Sequence, residues 1–244
     1  MAAQLQLFEA RQSERWNVRV SRRARRLSVR VYPGGRVEVV APPGASAAAV
    51  ERFVGMHRQW IDRRVQDLSS AADLSGDMRP AAIELSAIAR RYALVYEPDA
   101  RRGVRAHSHE TTDALILRGQ VGDERQVGAV LRAWLMERAF EALSRELSRV
   151  AARGDFRFQR LQVRRQRTRW GSCSASGTIS LNACVLFLEP AVMRYLLVHE
   201  LAHTKHMNHS KRFWALVEAH EPEYRRLDRE LVSGWRRVPG WVFG

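Results

Sequence analysis

The residues with the clearest chemical potential lie at 199–203, where His199-Glu200-Leu201-Ala202-His203 sets two imidazoles four positions apart. On a helix this spacing puts both rings on one face, so they can share one cation. Glu200 then sits about 100° round the axis, within reach of a water on that cation. The preceding run Tyr195-Leu196-Leu197-Val198 is apolar and predicts a buried helix. Two imidazoles and a carboxylate are costly to bury without partners, so a shared metal ion explains them better than two incidental histidines do. The chemistry that follows is metal-assisted hydrolysis. Zinc lowers the pKa of its water and polarises a carbonyl, while Glu200 takes the proton and later passes it to the leaving group.

A hydrolytic zinc site takes three protein ligands and keeps a fourth position open. His206 and His209 are the candidates for the third. If the helix continued, His206 would stand about 10 Å along the axis from His199, too far for convergence. His209 requires the chain to turn back, and Asn208 is a residue type that tolerates a left-handed helix end. The expected triad is therefore His199, His203 and His209. Its spacing equals that of the metzincin signature. However, His206 stands where that signature has glycine, and no Met-turn is evident downstream, so the chain is not read as a metzincin.

Several elements must position these groups. Glu189-Pro190 opens the helix that carries His199, with proline at the first helical position. Upstream, Phe156, Phe158, Leu161 and Val163 suggest one strand, and Ile179, Leu181 and Ala183 a second. A long core helix is predicted over about 123–152 from Val127, Leu131, Trp134, Leu135, Leu143, Leu147 and Val150. Weaker strand patterns occupy 83–96, 104–107 and 115–117. Near the amino terminus, period-two alternation between 17 and 41 predicts two or three antiparallel strands turned by Pro33-Gly34-Gly35. One amphipathic helix follows, capped by Ser46 and carrying Val50, Phe53, Val54, Trp60, Ile61, Val65 and Leu68. The polar stretch 69–79 reads as a linker. The expected organisation is α+β: a strand-rich part with one amphipathic helix over 1–75, then a catalytic part with a small antiparallel sheet over 76–244, as two domains or one continuous body.

The 244 residues are 45% hydrophobic and 27% charged, which sets aside disordered, collagenous and coiled-coil classes. Net charge is +15, and only Lys205 and Lys211 among the 41 basic residues are lysines. Such a field attracts nucleic acid and anionic substrates, although no usual nucleic-acid-binding signature accompanies it. Arg22, Arg23, Arg25 and Arg26 read as a solvated loop or an anion site. Cys173 and Cys184 form no disulfide framework. With no apolar leader core in 1–16 and no run long enough to span a membrane, the expected location is the cytoplasm.

Taken together, these residues resemble the YgjP-like group of zinc metallopeptidase-like hydrolases, related to SprT-like and Wss1-like proteases. The resemblance rests on HELAHTKHMNHSKRFW (199–214), RTRWGSCS (167–174), Ile179-Ser180-Leu181-Asn182, Pro222 with Tyr224, and in the amino-terminal half on RRARRL, the Pro-Gly hairpin and Trp60-Ile61. It implies a zincin-like domain with one Zn²⁺ on His199, His203 and His209, Glu200 as general base and acid, and a peptide or protein substrate. Related zincins border their cleft with the strand before the active-site helix. That makes Gly177, Ile179 and Asn182 candidates for pairing with an extended substrate, and Tyr224 a candidate oxyanion donor or core tyrosine. The group also allows a nucleoside triphosphate substrate, with Arg165, Arg167, Arg169, Lys211 and Arg212 as polyphosphate contacts. By analogy with Wss1-like proteins, the basic surface suits recruitment to DNA.

Overall fold

Strands in both halves of the molecule follow the alternation of the sequence, but their order follows how apolar each one is. The computed structural model describes residues 16–32, 35–69, 79–100, 103–109 and 113–243. Most of the linker segment, along with Pro33 and Gly34 of the first hairpin, lies outside them. The chain divides into two compact units, Met1–Leu74 and Ser75–Gly244.

In the first unit, β1 (Asn17–Val20), β2 (Ser28–Val31) and β3 (Val37–Ala41) form a sheet in the order β1-β3-β2. β3 runs antiparallel to β2 and parallel to β1, which corrects the all-antiparallel expectation. Two reversals of direction bring β3 back parallel to β1. As the most apolar strand, with Val37, Val39, Val40 and Ala41 buried, it takes the centre. Ser46 caps α1 (Ala47–Met56) by accepting from the Ala49 N–H at 3.2 Å. The single expected helix is in fact two, α1 and α2 (Arg58–Ser69). At the break, the His57 ring hydrogen-bonds the Phe53 carbonyl at 2.8 Å and so competes with the helical ladder. Val54 and Ile61 stay buried across it, whereas Trp60 is 48% exposed. The four loop arginines Arg22, Arg23, Arg25 and Arg26 are all exposed.

The second unit contains more sheet than the alternation between 83 and 117 suggests. There β4 (Ala82–Leu85), β5 (Arg90–Pro98), β6 (Val104–His109) and β7 (Ala114–Gly119) form a four-stranded mixed sheet ordered β4-β5-β7-β6. Asp123 caps α3 (Glu124–Arg153), accepting from the N–H groups of Arg125 and Gln126. The helix buries the predicted stripe from Val127 to Val150. A second sheet joins β8 (Arg160–Arg164), β9 (Gly171–Cys173) and β10 (Thr178–Asn182) in the order β8-β10-β9. β10 is parallel to β8 and antiparallel to β9, so the expected antiparallel sheet is mixed, again because two reversals separate β8 from β10. Pro190 opens α4 (Pro190–Ala202), and α5 (Lys211–His220) and α6 (Tyr224–Ser233) follow. α4 packs against α3, α5, α6 and β9 and is buried along most of its length. No helix among the described residues is long and apolar enough to cross a membrane.

Candidate metal centre

α4 ends at Ala202, and His203 occupies its C-cap. The chain therefore turns at once rather than at Asn208, which is not among the positive-φ residues. Seven residues later Ser210 caps α5 by accepting from the Phe213 N–H at 3.4 Å. This cap sets the direction of the chain immediately after His209, so the return path that the third imidazole requires is built from two helix ends facing each other.

The three histidines converge. One ligand atom from each of His199, His203 and His209 lies within 4.8 Å of the others, and His199 Nε2 and His209 Nε2 are 3.2 Å apart. His203 Nδ1 donates to the His206 carbonyl at 3.1 Å, which leaves its Nε2 facing the cluster. His206 thus contributes its backbone and not its ring. Phe213, fully buried, stacks on His203 at 4.5 Å and meets His199 and His209 edge-on at 5.0 and 4.8 Å. Trp214 stacks on His209 at 5.5 Å and on Tyr224 at 5.2 Å. That places Trp214 in packing of the returning chain, with Tyr224, 8% exposed, in the aromatic layer against it.

Burial of His199, with the neighbouring His203 and His209 rings, pulls its pKa down to about 3. His203 shifts downward for the same leading reason. Both rings are therefore neutral near pH 7, the form that binds metal. Glu200 is 5% exposed, and its Oε2 has no hydrogen-bond partner. Burial pushes its pKa up to about 8, opposed by the charge of exposed Arg169. Three converging imidazoles beside one orphaned, buried carboxylate oxygen fit an open zinc site: an all-nitrogen donor set next to a carboxylate with a free oxygen.

A stability consequence follows. A carboxyl whose folded pKa lies above its unfolded value of 4.5 costs stability as pH rises from about 4.5 through about 8. In chelator, Glu200→Gln should therefore melt at a higher temperature than the parent at pH 8–9, by the equivalent of a few kcal/mol. The gap should shrink steadily toward pH 4.5. A gap that is constant with pH in thermal melts would contradict the burial account.

β9 runs beside the carboxylate. A Cβ added to Gly171 would lie 2.5 Å from Glu200 Oε1, so only glycine permits this approach. The Asn182 N–H donates to the Trp170 carbonyl at 2.8 Å, and the Ser174 N–H to the Thr178 carbonyl at 2.9 Å. Residues 170, 172 and 174 thus turn their backbone groups toward β10. By the alternation of antiparallel pairing, Gly171 and Cys173 turn theirs toward the free edge. β10 has no free edge, being paired on both sides. Ile179 is fully buried. Asn182 is fully buried as well, its amide donating to the Gln166 and Arg169 carbonyls at 2.7 and 2.8 Å and accepting from the Cys184 N–H at 3.1 Å. Gly177 sits at φ +75° in the β9–β10 turn, its carbonyl accepting from the Gln159 N–H at 2.9 Å. These three residues hold the sheet and the 166–170 loop in place, and the unpaired edge beside Glu200 belongs to β9.

The remaining polar and aromatic side chains resolve by contact. Burial, together with the Glu200 charge, raises the Cys173 pKa, which disfavours the thiolate a nucleophile requires. Trp170 is buried and stacks on Trp235 at 4.1 Å. His220 packs on Phe156 at 4.9 Å. Arg165 donates to the Val242 carbonyl and Arg167 to the Phe243 carbonyl, while Arg132 holds the Trp241 carbonyl at 3.1 Å. Two of the five basic side chains considered for a polyphosphate therefore bind the chain's own backbone. Two contributors escape sequence reasoning. Phe213 is visible only as part of an apolar helix face, and Asp228 sits on α6, where its bond to Tyr195 on α4 crosses 33 residues.

A converging histidine triad, a buried carboxylate with an orphaned oxygen and a glycine that lets a strand edge approach it make up the candidate site. A family model described as the YgjP-like metallopeptidase domain matches residues 25–233. Among solved structures, the crystal structure of the metallopeptidase zymogen of Pyrococcus abyssi abylysin shares 32% identity. The match spans 36% of this chain and 90% of that one, with a TM-score of 0.33. No curated protein matches. The family match spans both the triad and most of the first unit, and on that extent the chain belongs to the YgjP-like metallopeptidase family.

Proposed function

We propose that this chain is a zinc-dependent peptidase in which His199, His203 and His209 hold the ion and Glu200 is the general base and acid. The observation that carries this reading is the convergence of three imidazoles beside a buried carboxylate with a free oxygen. When bound, zinc supplies Lewis-acid polarisation of the scissile carbonyl and acidifies a water. Glu200 Oε2 accepts that water's proton and returns it to the leaving amine, so the carboxylate ends as it began. Its burial, which raises its hold on a proton, suits the second transfer. The Phe213 ring and the His206 carbonyl keep the imidazoles from turning away.

An extended peptide would add to β9 through the outward N–H and C=O groups of Gly171 and Cys173, which brings its backbone alongside Glu200. The nucleotide reading is left with exposed Arg169, Lys211 and Arg212, since Arg165 and Arg167 are engaged elsewhere. Peptide libraries and nucleoside triphosphates assayed side by side, in chelator and after adding zinc back, test both. Peptide cleavage that chelator abolishes and zinc restores is the expected outcome, and N-methylation of the backbone at alternate positions should raise KM. Zinc-dependent pyrophosphate release without peptide cleavage would overturn the peptidase assignment.

A further inference from the structure

Among the three imidazoles, His203 is oriented by a backbone carbonyl, whereas the ring of His199 meets a side chain of its own helix that is itself held from another helix. Tyr195, one turn before His199 on α4, is fully buried. Its hydroxyl donates to Asp228 Oδ1 at 2.7 Å. With its one proton so committed, the hydroxyl can only accept at its other contact, His199 Nδ1 at 3.4 Å. The proton of neutral His199 must then sit on Nδ1, which leaves a lone pair on Nε2, the atom 3.2 Å from His209 Nε2.

We propose that Asp228 is a positioning residue that acts through Tyr195 to fix the tautomer and ring orientation of His199, making α6 part of the metal site. This rests on the zinc-site reading above. The chain runs carboxylate, phenol, imidazole. An ordinary ligand-orienting contact would place the carboxylate directly on the imidazole. Here the phenol intervenes because Asp228 belongs to α6, which packs on α4, and the tyrosine side chain bridges the two helices. The same geometry explains why a hydroxyl is retained at a fully buried position, where phenylalanine would otherwise pack as well.

Zinc affinity measured by competition with a chromophoric chelator, together with the visible spectrum of the cobalt(II)-substituted protein, tests the relay. Tyr195→Phe and Asp228→Asn should each weaken zinc binding about 10–100-fold and alter the cobalt spectrum. The metal-free proteins should keep the parent's circular dichroism, because Asp228 is only half-buried and can be hydrated when unpaired. The double variant should bind zinc no more weakly than Tyr195→Phe alone, since Asp228 has no route to His199 without the phenol. Additive losses would mean that the two residues act separately and would overturn the relay, as would variants that match the parent in affinity and spectrum. A parent that takes up no zinc would overturn the site reading and the relay with it. A zinc-binding parent with unaffected variants would overturn the relay alone.

Discussion

Glutamine in place of Glu200 should leave zinc content unchanged and lower kcat for peptide hydrolysis about 10²–10⁴-fold, the usual contribution of a positioned acid-base group. The substitution is nearly isosteric, and none of the three imidazoles depends on the carboxylate for its orientation. His203 is held by the His206 carbonyl and His199 faces Tyr195. What disappears is the capacity to accept a proton at Oε2 and to return it. Because that oxygen has no partner within the protein, no neighbouring group is placed to take over. Metal analysis and steady-state kinetics on the same preparation separate the two effects. A Glu200→Gln protein that cleaves at the parent rate would remove Glu200 from the mechanism.

Alanine at Gly171 should be nearly as damaging while replacing neither the ligands nor the base. Its methyl would stand 2.5 Å from Glu200 Oε1 and 2.9 Å from both Cδ and Cγ, well inside contact distance. β9 cannot retreat, because its other edge is bonded to β10 through the backbone groups of residues 170, 172 and 174. α4 cannot retreat either, because it is enclosed by α3, α5 and α6. The carboxylate must therefore rotate away from its position, and a displacement of about 1 Å in a reacting group costs on the order of 10²-fold in rate. The loss should appear in kcat with zinc affinity close to the parent's. Parent-like kcat for Gly171→Ala would show that the carboxylate does not work from the position described.

The grouping of His199, Glu200, His203 and His209 into one candidate site was legible because its logic is local. Helical spacing aligns the first three, and ligand number demands a fourth residue that a turn can return. The long stripe of α3 was legible for the same reason, being a periodicity confined to one element. Strand order was not, since period-two alternation identifies a strand without saying which neighbours it will have. A clue was present in retrospect. β3 and β10 are the most apolar strands of their sheets, and both lie in the middle, each parallel to a strand two elements earlier. Because β10 is central, the free edge belongs to β9. Asn182 shows the same limit from another side. A polar residue ahead of an active-site helix invites a binding role, but only its burial and its three bonds to backbone reveal a strut. Arg165 and Arg167 add nothing to a polyphosphate site once their carbonyl partners are known, although their sequence neighbours are cationic. The Asp228–Tyr195 contact joins two helices and could not be inferred from spacing at all.

The segment between the second and third histidines has one property that composition does not show. His203 closes α4 and Ser210 opens α5, so both ends of the intervening six residues are anchored to rigid rods whose own positions are set by the core. Side chains along Thr204–Asn208 are largely solvent-facing or partly exposed and can vary. Their number cannot vary freely, because each inserted or deleted residue shifts His209 by roughly 3.3–3.6 Å of chain against a cluster whose ligand atoms lie within 4.8 Å. Length, more than identity, is the quantity this loop conserves mechanically.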